Sequence, residues 1–365
     1  MRGITDPQSH MFSYISAEER VPAEHPLRPI KGYAEAALRD LAFSFEVMYS
    51  DTGRPSIPPE RLLKAQLLIA LYSVRSDRLF CEMLEYNMLF RWFLDMNLDD
   101  PGFDASTFSK NRERLLSQDV AHKFFDAVVR LAKAKGLLSD EHFTVDGTLI
   151  EAWASQKSFQ PRRGGKGKGG PPDDPGNPTV DFRGERRSNA THQSTTDPEA
   201  RLMRKGPGRE ARLSFVATAM TENRHGLLID LRVDAATGKA EREGARKLLA
   251  RQAQKHRHPR ALAGDKGFHT REFVAELRRR GIQPHIACKA RVKTPGLDGR
   301  TTRHEGYRMS QRARKVIEQV FGWTKTIGGW RKTRFRGVER TEQYGHLAGA
   351  AYNLLRISRL EAASP

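Results

Sequence analysis

The sequence predicts an α/β protein in which a helical N-terminal region precedes a mixed β-sheet flanked by helices. Two observations lead to this prediction. Up to about residue 136, apolar residues recur at three- and four-residue steps, as they do on one face of a helix. From about residue 140, segments with strand and helix patterns follow in the order strand, hairpin, helix, strand, helix, strand, helix. Helices packed on a sheet are the usual result of such an order.

The N-terminal region divides into an arm and a helical part. Residues 1–28 are polar and interrupted by prolines, which predicts an irregular arm. Residues 29–136 are expected to be helical, and one helix carries Lys110, Arg112 and Arg114 beside apolar positions. Short helices with a basic final member resemble a helix-turn-helix arrangement, so we predict DNA contacts at these three residues. The alternative is an ordinary helical bundle with a solvated basic helix.

The sheet domain is predicted for residues 140–360. Its first strand is HFTVDGTLIEA, and LSFVATAM and LLIDLRV form an antiparallel hairpin joined by TENRHG. Residues 157–200 interrupt the domain between the first strand and the hairpin. Much of this stretch is rich in Gly, Pro and Arg, a composition that cannot bury enough apolar surface to fold alone. We therefore predict a flexible basic insertion.

The charge balance points to a polyanionic partner. Lys and Arg number 63 against 44 Asp and Glu, which gives a net charge of +19. Nucleic acid is the usual partner of such a chain, and an anionic membrane is the alternative. The sequence has no apolar run of membrane-spanning length and no signal-peptide pattern, so neither a membrane-spanning protein nor an exported one is expected. Cys81 and Cys288 lack metal-ligand spacing, which indicates a reduced, cytoplasmic and nucleoid-associated protein.

Three carboxylates are candidates for a metal site. Asp146 lies in the first strand, where a buried carboxylate needs a partner. Asp265 ends the strand ALAGD, and ligands bind at the carboxyl ends of strands in α/β sheets. Glu318 lies in 311–332, which is predicted to be one helix. The alternatives are an exposed strand end, a turn cap and a surface ion pair. If the two strands are neighbours and the helix crosses them, the carboxylates converge on a site suited to Mg²⁺.

Basic side chains surround Glu318 on this segment. At about 100° per residue, Arg314 and Lys325 fall on the same helix face as Glu318. A solvated face with an ordinary ion pair is the simpler interpretation. In the sharper interpretation Glu318 binds a metal ion while flanking cations contact DNA phosphates. Arg331 and Lys332, at the end of the segment, are included among the expected DNA contacts.

Several motifs together resemble one family. VDGTLIEAWAS and AGDKGF match the surroundings of the first and second Asp of the DDE-type transposases of bacterial insertion sequences. GRPSIPPERLLKAQLLIALY is similar to the helical domain of the insertion-sequence-five-like group, and the resemblance covers about residues 20–358. The group's last signature is Tyr, Arg, Glu and Lys at fixed spacing, and here those places hold Gln311, Arg314, Glu318 and Lys325. The Tyr is absent, and Tyr307 is the nearby ring that could replace it.

The resemblance implies an RNase H-like fold with Asp146 and Asp265 on adjacent strands and Glu318 on a helix. It implies Mg²⁺ at these carboxylates, with Mn²⁺ able to substitute, and phosphate contacts from Arg314 and Lys325. The implied function is cleavage of double-stranded DNA at the ends of a mobile element and strand transfer into target DNA, by a homodimer when DNA is bound. An RNase H-like nuclease without strand transfer and an inactive DNA-binding regulator are the alternatives.

Two tryptophans of the same segment are considered for base recognition. Trp323 and Trp330 could stack on an unpaired base of the DNA. For Trp323, core packing is the preferred expectation.

Overall fold

The computed structural model describes residues 14–48, 56–117, 119–162, 180–182, 185–206 and 208–363. Within these ranges the chain has the predicted α/β class, with helices first and a mixed sheet afterwards. The helices of the N-terminal region are α1 (Ala17–Arg20), α2 (Leu27–Arg39), α3 (Ala42–Met48), α4 (Pro59–Leu71), α5 (Asp77–Tyr86), α6 (Met88–Phe93), α7 (Ala105–Ser117) and α8 (Val120–Ala134).

Strands and helices alternate after residue 140. In chain order they are β1 (His142–Glu151), β2 (Phe159–Pro161), β3 (Val180–Phe182), β4 (Glu185–Arg187), β5 (His192–Ser194), β6 (Arg201–Arg204), β7 (Ala211–Glu222), β8 (Leu228–Ala235), α9 (Ala240–Gln254), β9 (Ala261–Gly264), α10 (Arg271–Arg279), β10 (Gln283–Ile286), α11 (Gly299–Thr302), α12 (Glu305–Ala313), α13 (Val316–Thr326) and α14 (Val338–Ala362).

The main sheet is mixed. Its strand order is β10-β9-β1-β7-β6, and β8 also pairs with β7. β7 runs antiparallel to β1, β6 and β8, whereas β9 and β10 run parallel to β1. The predicted hairpin is β7–β8, and Gly226 in its turn has a positive φ of 72°, a conformation that glycine adopts without strain. Helices enter between the parallel strands, as parallel connections require.

The start of the chain is more ordered than predicted. Residues 1–13 lie outside the described ranges, but residues 14–28 are not irregular throughout, because α1 forms there and α2 begins at Leu27. A capping box explains α1: the Ser16 hydroxyl accepts from the Glu19 N–H, and the Glu19 carboxylate accepts from the Ser16 N–H. Such reciprocal caps satisfy the free backbone donors of a first turn. The predicted arm is therefore corrected over its described part.

Among the described helices of the N-terminal region, α6 and α7 do not form a helix-turn-helix pair. They are separated by residues 94–104, which exceed the short turn of that motif. α6 buries Phe90, Trp92 and Phe93, so it has little surface with which to enter a DNA groove. The described helices pack as a bundle, and DNA contact by this region stays a prediction.

One hydrophobic core joins the bundle to the sheet. α14 packs against α8 and α4 on one side and against β8 on the other. The side chain of Asn353 in α14 accepts from the Leu228 N–H at 2.9 Å and donates to the Leu228 carbonyl at 2.7 Å. These bonds satisfy backbone groups of β8 that face the helix rather than a strand. The two predicted domains therefore share a core through the last helix.

The predicted insertion 157–200 is folded at its C-terminal end. Residues 163–179 and 183–184 lie outside the described ranges, but residues 188–200 contain buried side chains. Asn189 exchanges two hydrogen bonds with the backbone of Leu202, at 2.8 and 3.0 Å. The buried Asp197 accepts from the Gly337 N–H at 3.0 Å. Polar contacts, which hydrophobic patterning does not reveal, hold this end against the sheet.

Candidate active site

The topology brings Asp146 and Asp265 to matching positions. β1 and β9 are parallel neighbours whose pairing ends at Thr144 and Ala263. Asp146 lies two residues beyond Thr144, and Asp265 lies two residues beyond Ala263. Since neighbouring strands are about 4.8 Å apart, the two side chains can reach one cation. The expected placement on adjacent strands is what the structure has.

Backbone N–H groups orient both aspartates. The Asp146 Oδ1 accepts from the Gly147 N–H at 2.8 Å. The Asp265 Oδ1 accepts from the Gly267 N–H at 2.7 Å, and Asp265 also caps the short 3₁₀ turn Lys266–Phe268. Asp265 thus acts as a turn cap, which was the alternative interpretation of this residue. One oxygen of each carboxylate is fixed by these bonds, and the second oxygen of each has no hydrogen bond to the described residues.

Glu318 comes from a helix, but the helix differs from the prediction. Residues 311–332 do not form one helix, because α12 ends at Ala313 and α13 begins at Val316. At the break the N–H groups of Ile317 and Glu318 bond to the carbonyls three residues earlier, which tightens the backbone. Glu318 is therefore exposed in the first turn of α13, where the helix dipole favours a negative charge.

The charges of the other two carboxylates act on Asp146. Burial is the main cause that raises the pKa of Asp146 to about 6; the negative charges of Asp265 and Glu318 contribute in the same direction, whereas the Gly147 N–H and Arg314 oppose the rise. Neighbouring carboxylates favour protonation of one member. The same arrangement favours a bound cation, which relieves the repulsion.

A fourth carboxylate, Glu241, was missed by the sequence analysis. It lies in the first turn of α9, and its side chain contacts Gly147. Burial and, to a smaller extent, the charges of Asp146 and Asp265 together raise the pKa of Glu241 to about 7. In the sequence Glu241 is one of several acidic residues at a helix start, and nothing in the pattern AEREGA distinguishes it.

Lys325 is tied to the strand that carries Asp146. Its Nζ donates to the Thr148 hydroxyl at 2.5 Å and to the Leu149 carbonyl at 2.8 Å. Burial and, to a smaller extent, the positive charges of Lys205 and Arg331 together lower the pKa of Lys325 to about 8. The predicted phosphate contact is thus accompanied by a structural role, since Lys325 joins α13 to β1.

The remaining signature positions lie around the helix break. Arg314 caps the C-terminus of α12, and its positive charge lowers the pKa of Asp146. Gln311 donates its side-chain amide to the His285 carbonyl. The Tyr307 hydroxyl donates to the Ile286 carbonyl at 2.9 Å, so this ring is anchored to β10. Tyr307 serves the packing of α12 in this conformation.

A basic groove lies at the end of β1, beside Leu149 and Glu151. Five cationic side chains and two carboxylates line it: Lys205, Arg209, Arg212, Lys325, Arg331, Glu151 and Glu210. Arg212 is engaged by Glu151 at 2.7 Å and by Glu210 at 3.1 Å. Arg331, a predicted DNA contact, is exposed in this groove.

The segment with Arg331 and Lys332 is fixed to the end of β1. The Glu151 N–H donates to the Arg331 carbonyl at 3.1 Å, and the Thr333 N–H donates to the Glu151 carbonyl at 2.8 Å. Lys332 is exposed, and its Nζ lies 6.0 Å from the ring centre of Trp153. Trp153 is itself 51% exposed, so its ring is accessible.

The tryptophans named for base stacking are used in the core. Trp330 is 2% exposed, and its indole N–H donates to the Thr341 carbonyl at 3.2 Å. Trp323 packs edge-on against Tyr352, in line with the core packing preferred for it. The stacking prediction is wrong for Trp330 in this conformation, because the ring has no accessible face.

The three basic residues of α7 differ in accessibility. Lys110 and Arg114 are exposed and line an open groove between α7 and the segment that precedes α4. Arg112 forms salt bridges with Asp77 and Glu113, and its guanidinium lies 5.0 Å from the ring centre of Phe335. Arg112 is therefore engaged in ion pairs and packing in this conformation, and its predicted DNA contact stays a prediction.

A second group of potential metal ligands lies elsewhere. Ligand atoms of His122, Asp230 and His346 lie within 4.8 Å of one another. However, the Asp230 carboxylate already accepts from Arg251 at 2.9 Å and from Gln252 at 2.8 Å. Although burial opposes ionisation, the His346 ring and Arg251 lower the pKa of Asp230 to about 2. These residues form a buried ionic network that joins α8, β8 and α14.

The carboxylates near Asp146 fit a divalent cation better. Their donors are all oxygens, the ligands that Mg²⁺ and Mn²⁺ accept. Two of the carboxylates are oriented in advance by backbone N–H groups, and their mutual repulsion is only partly compensated by Arg314. Such a site can bind metal ions and hold a phosphate group against them.

The comparisons with known proteins agree with this chemistry. A family model described as a transposase DDE domain matches residues 139–354, and one described as a transposase domain (DUF772) matches residues 15–114. No curated protein matches the chain. Among the described helices, none combines the length and the apolar character needed to span a bilayer.

Two solved structures are similar over most of the chain. One is the piggyBac transposase synaptic complex with hairpin DNA, at 10% identity and a TM-score of 0.40, covering 93% of this chain and 76% of that chain. The other is the Mos1 transposase paired-end complex with the left transposon end, at 13% identity and a TM-score of 0.21, covering 88% and 85%. These superpositions are loose, so the family assignment rests on the match of the DDE domain, which spans more than half of the chain.

Proposed function

The chain belongs to the family of transposases with a DDE domain, and we propose that Asp146, Asp265 and Glu318 are its catalytic carboxylates. It is a DNA transposase, an enzyme that cleaves DNA at the ends of a mobile element and joins those ends to target DNA. The observation that carries the residue assignment is the convergence of β1, β9 and α13, in which the charges of Asp265 and Glu318 act on Asp146.

Activity in this family depends on a divalent metal ion, and we propose Mg²⁺, with Mn²⁺ as a substitute. The free oxygens of Asp146 and Asp265 and the exposed carboxylate of Glu318 would hold it. When bound, the ion would activate a water or a 3′ hydroxyl for attack and stabilise the leaving oxygen at the scissile phosphate. The Gly147 and Gly267 N–H groups keep the two aspartates in place before metal and DNA arrive.

The protein's cations would position double-stranded DNA. The charge of Arg314 acts on Asp146, which supports the proposal that Arg314 contacts the scissile phosphate. The groove of Lys205, Arg209 and Arg331 is lined by the end of β1, the strand that carries Asp146, so it is the proposed track of the DNA backbone. Lys332, Lys110 and Arg114 are exposed and are further proposed phosphate contacts.

Two properties remain proposals from family analogy. Joining two ends of an element requires that both ends be held together, so we propose a homodimer when DNA is bound. The insertion-sequence-five-like group is the proposed subgroup, on the motifs of the sequence.

The assignment is tested by replacing each carboxylate with its amide. Asp146→Asn, Asp265→Asn and Glu318→Gln are each expected to abolish cleavage of DNA taken from the two sides of the gene, while DNA affinity is retained. Asp99→Asn is the control, because Asp99 is exposed outside the site. Retained cleavage in Asp146→Asn would contradict the assignment.

The same assay separates the alternatives. Joining of pre-cut ends to a target plasmid is expected of a transposase. Cleavage without joining would indicate a nuclease, and DNA binding without either activity in the wild type would indicate a regulator.

A further inference from the structure

We infer that Glu241 is a fourth carboxylate of the catalytic centre and binds a divalent cation together with Asp146 and Asp265. This inference rests on the proposed function, because it takes the two aspartates as metal ligands. It adds a residue from α9, an element that the three-carboxylate assignment does not use.

The first argument is the contact between Glu241 and β1. A Cβ atom built on Gly147 would lie 2.3 Å from the Glu241 Cγ and 2.6 Å from its Oε1. Any side chain at position 147 would therefore displace the Glu241 carboxylate. Gly147 immediately follows Asp146 and donates to it, so the absence of a side chain lets a second carboxylate approach the same point of the strand.

The second argument is that α9 is held in this position by other contacts. The Arg242 guanidinium donates to the Gly267 carbonyl at 3.2 Å, which ties the start of α9 to the turn that orients Asp265. A Cβ on Gly244 would lie 2.5 Å from the Thr218 hydroxyl, so a glycine permits close packing of the helix on β7. Contacts with the turn at Gly267 and with β7 thus hold the start of α9, and with it Glu241, in position.

The third argument is the lack of a partner for this carboxylate. Glu241 is only partly exposed, and no hydrogen bond or ion pair joins its carboxylate to any described residue. Its charged neighbours include Asp146 and Asp265, which repel it, and Arg242 attracts it only through space. A half-buried carboxylate among like charges is unfavourable, whereas a shared cation makes the same arrangement favourable.

A simpler role would be that of an acidic residue at a helix start. Negative charges stabilise the first turn of a helix, and α9 has Glu241 and Glu243 there. Glu243 is exposed and fills this role without contacting β1. Because the two residues share a helix turn and a side-chain type, Glu243 is the matched control.

The test measures Mn²⁺ binding to the full chain without DNA, by electron paramagnetic resonance of the free ion. Wild type, Glu241→Gln, Glu243→Gln and Asp146→Asn are compared. We expect Glu241→Gln and Asp146→Asn each to weaken binding about 10–100-fold or more, or to remove one ion from the stoichiometry. Glu243→Gln is expected to bind as the wild type does. Thermal melting of the metal-free proteins verifies that each variant is folded.

The outcomes separate the two claims. If Asp146→Asn weakens binding and Glu241→Gln binds as the wild type does, the inference is overturned and the proposed function stands. If Asp146→Asn also binds as the wild type does, the proposed function fails and the inference fails with it.

A second variant, in β1, tests the position of the Glu241 carboxylate. Gly147→Ala is expected to weaken Mn²⁺ binding, because the new methyl group displaces Glu241. In a Glu241→Ala background it should weaken binding little further, since the side chain it displaces is gone. Equal effects of Gly147→Ala in both backgrounds would overturn the inference.

Discussion

At the residue scale, the site depends on backbone groups beside the acidic residues. The N–H of Gly147 fixes one oxygen of Asp146, and the N–H of Gly267 fixes one oxygen of Asp265. Each aspartate therefore presents its second oxygen without having to be ordered by the metal. Pre-ordering of this kind lowers the entropic cost of binding, because fewer rotamers are lost. The cost appears in the metal-free protein, where the carboxylates repel one another.

This repulsion predicts that Asp146→Asn stabilises the metal-free protein at neutral pH. The pKa of Asp146 is about 6 in the folded state, against an ordinary value of 3.8 for an aspartate. The folded state holds this proton more tightly, so the free energy of unfolding of the wild type falls as pH rises from about 4 to about 6. Above pH 6 the free energy of unfolding of the variant should exceed that of the wild type by about 1–3 kcal/mol.

Thermal or urea unfolding in a chelator, at pH 4 and at pH 7.5, provides the measurement. The difference between variant and wild type should be small near pH 4, where the Asp146 carboxyl is protonated in the folded state and about half protonated in the unfolded state. Asp99→Asn should be neutral at both values. A destabilised Asp146→Asn protein at pH 7.5 would show that the repulsion is compensated by contacts other than metal.

At the element scale, the position of α13 determines whether Glu318 meets the aspartates. The helix begins after a tight turn at Arg314–Lys315, and Lys325 near its other end is bonded to Thr148 and Leu149 of β1. The turn determines where Glu318 lies at the start of α13. The hydrogen bonds of Lys325 hold α13 across the strand that carries Asp146. Lys325 therefore has a structural role in addition to its proposed contact with DNA.

Lys325→Met is expected to separate these roles. The change keeps the length of the side chain but leaves the Leu149 carbonyl without its donor, which should lower the free energy of unfolding by about 1–3 kcal/mol. Cleavage should fall as well, because α13 is less firmly held. Lys123→Met, at an exposed position of α8, is the control. An unchanged melting temperature with reduced DNA affinity would mean that Lys325 contacts only phosphate.

At the scale of the whole molecule, α14 unites the bundle and the sheet, and the basic surface spans both. α14 packs on α4 and α8 as well as on β8. The exposed cations of α7 and those of the groove beside β1 therefore belong to one body. A net charge of +19 on such a body favours contact with a long stretch of DNA backbone.

DNA affinity is expected to depend steeply on salt concentration, because each neutralised phosphate releases counterions. A plot of log K against log salt should be linear with a negative slope, and Arg331→Gln should reduce its magnitude by about one. Arg39→Gln, on α2, should leave the slope unchanged. Fluorescence anisotropy with a labelled duplex measures both. A slope near zero in the wild type would exclude phosphate contacts as the source of affinity.

The sequence by itself determined the fold class and the order of the elements, and the family match confirmed the transposase assignment. The three acidic residues that it predicted as catalytic stay a prediction. Periodicity and fixed motif spacing are local properties, so they are readable along the chain. Only the tertiary structure decided that the predicted helix 311–332 breaks, that Arg112 and Trp330 are buried in contacts, and that residues 188–200 fold onto the sheet. Glu241 was also beyond the sequence, because its significance comes from a glycine on a strand far away in the chain. Burial and charge proximity between distant segments depend on how elements pack, and no local pattern encodes that packing.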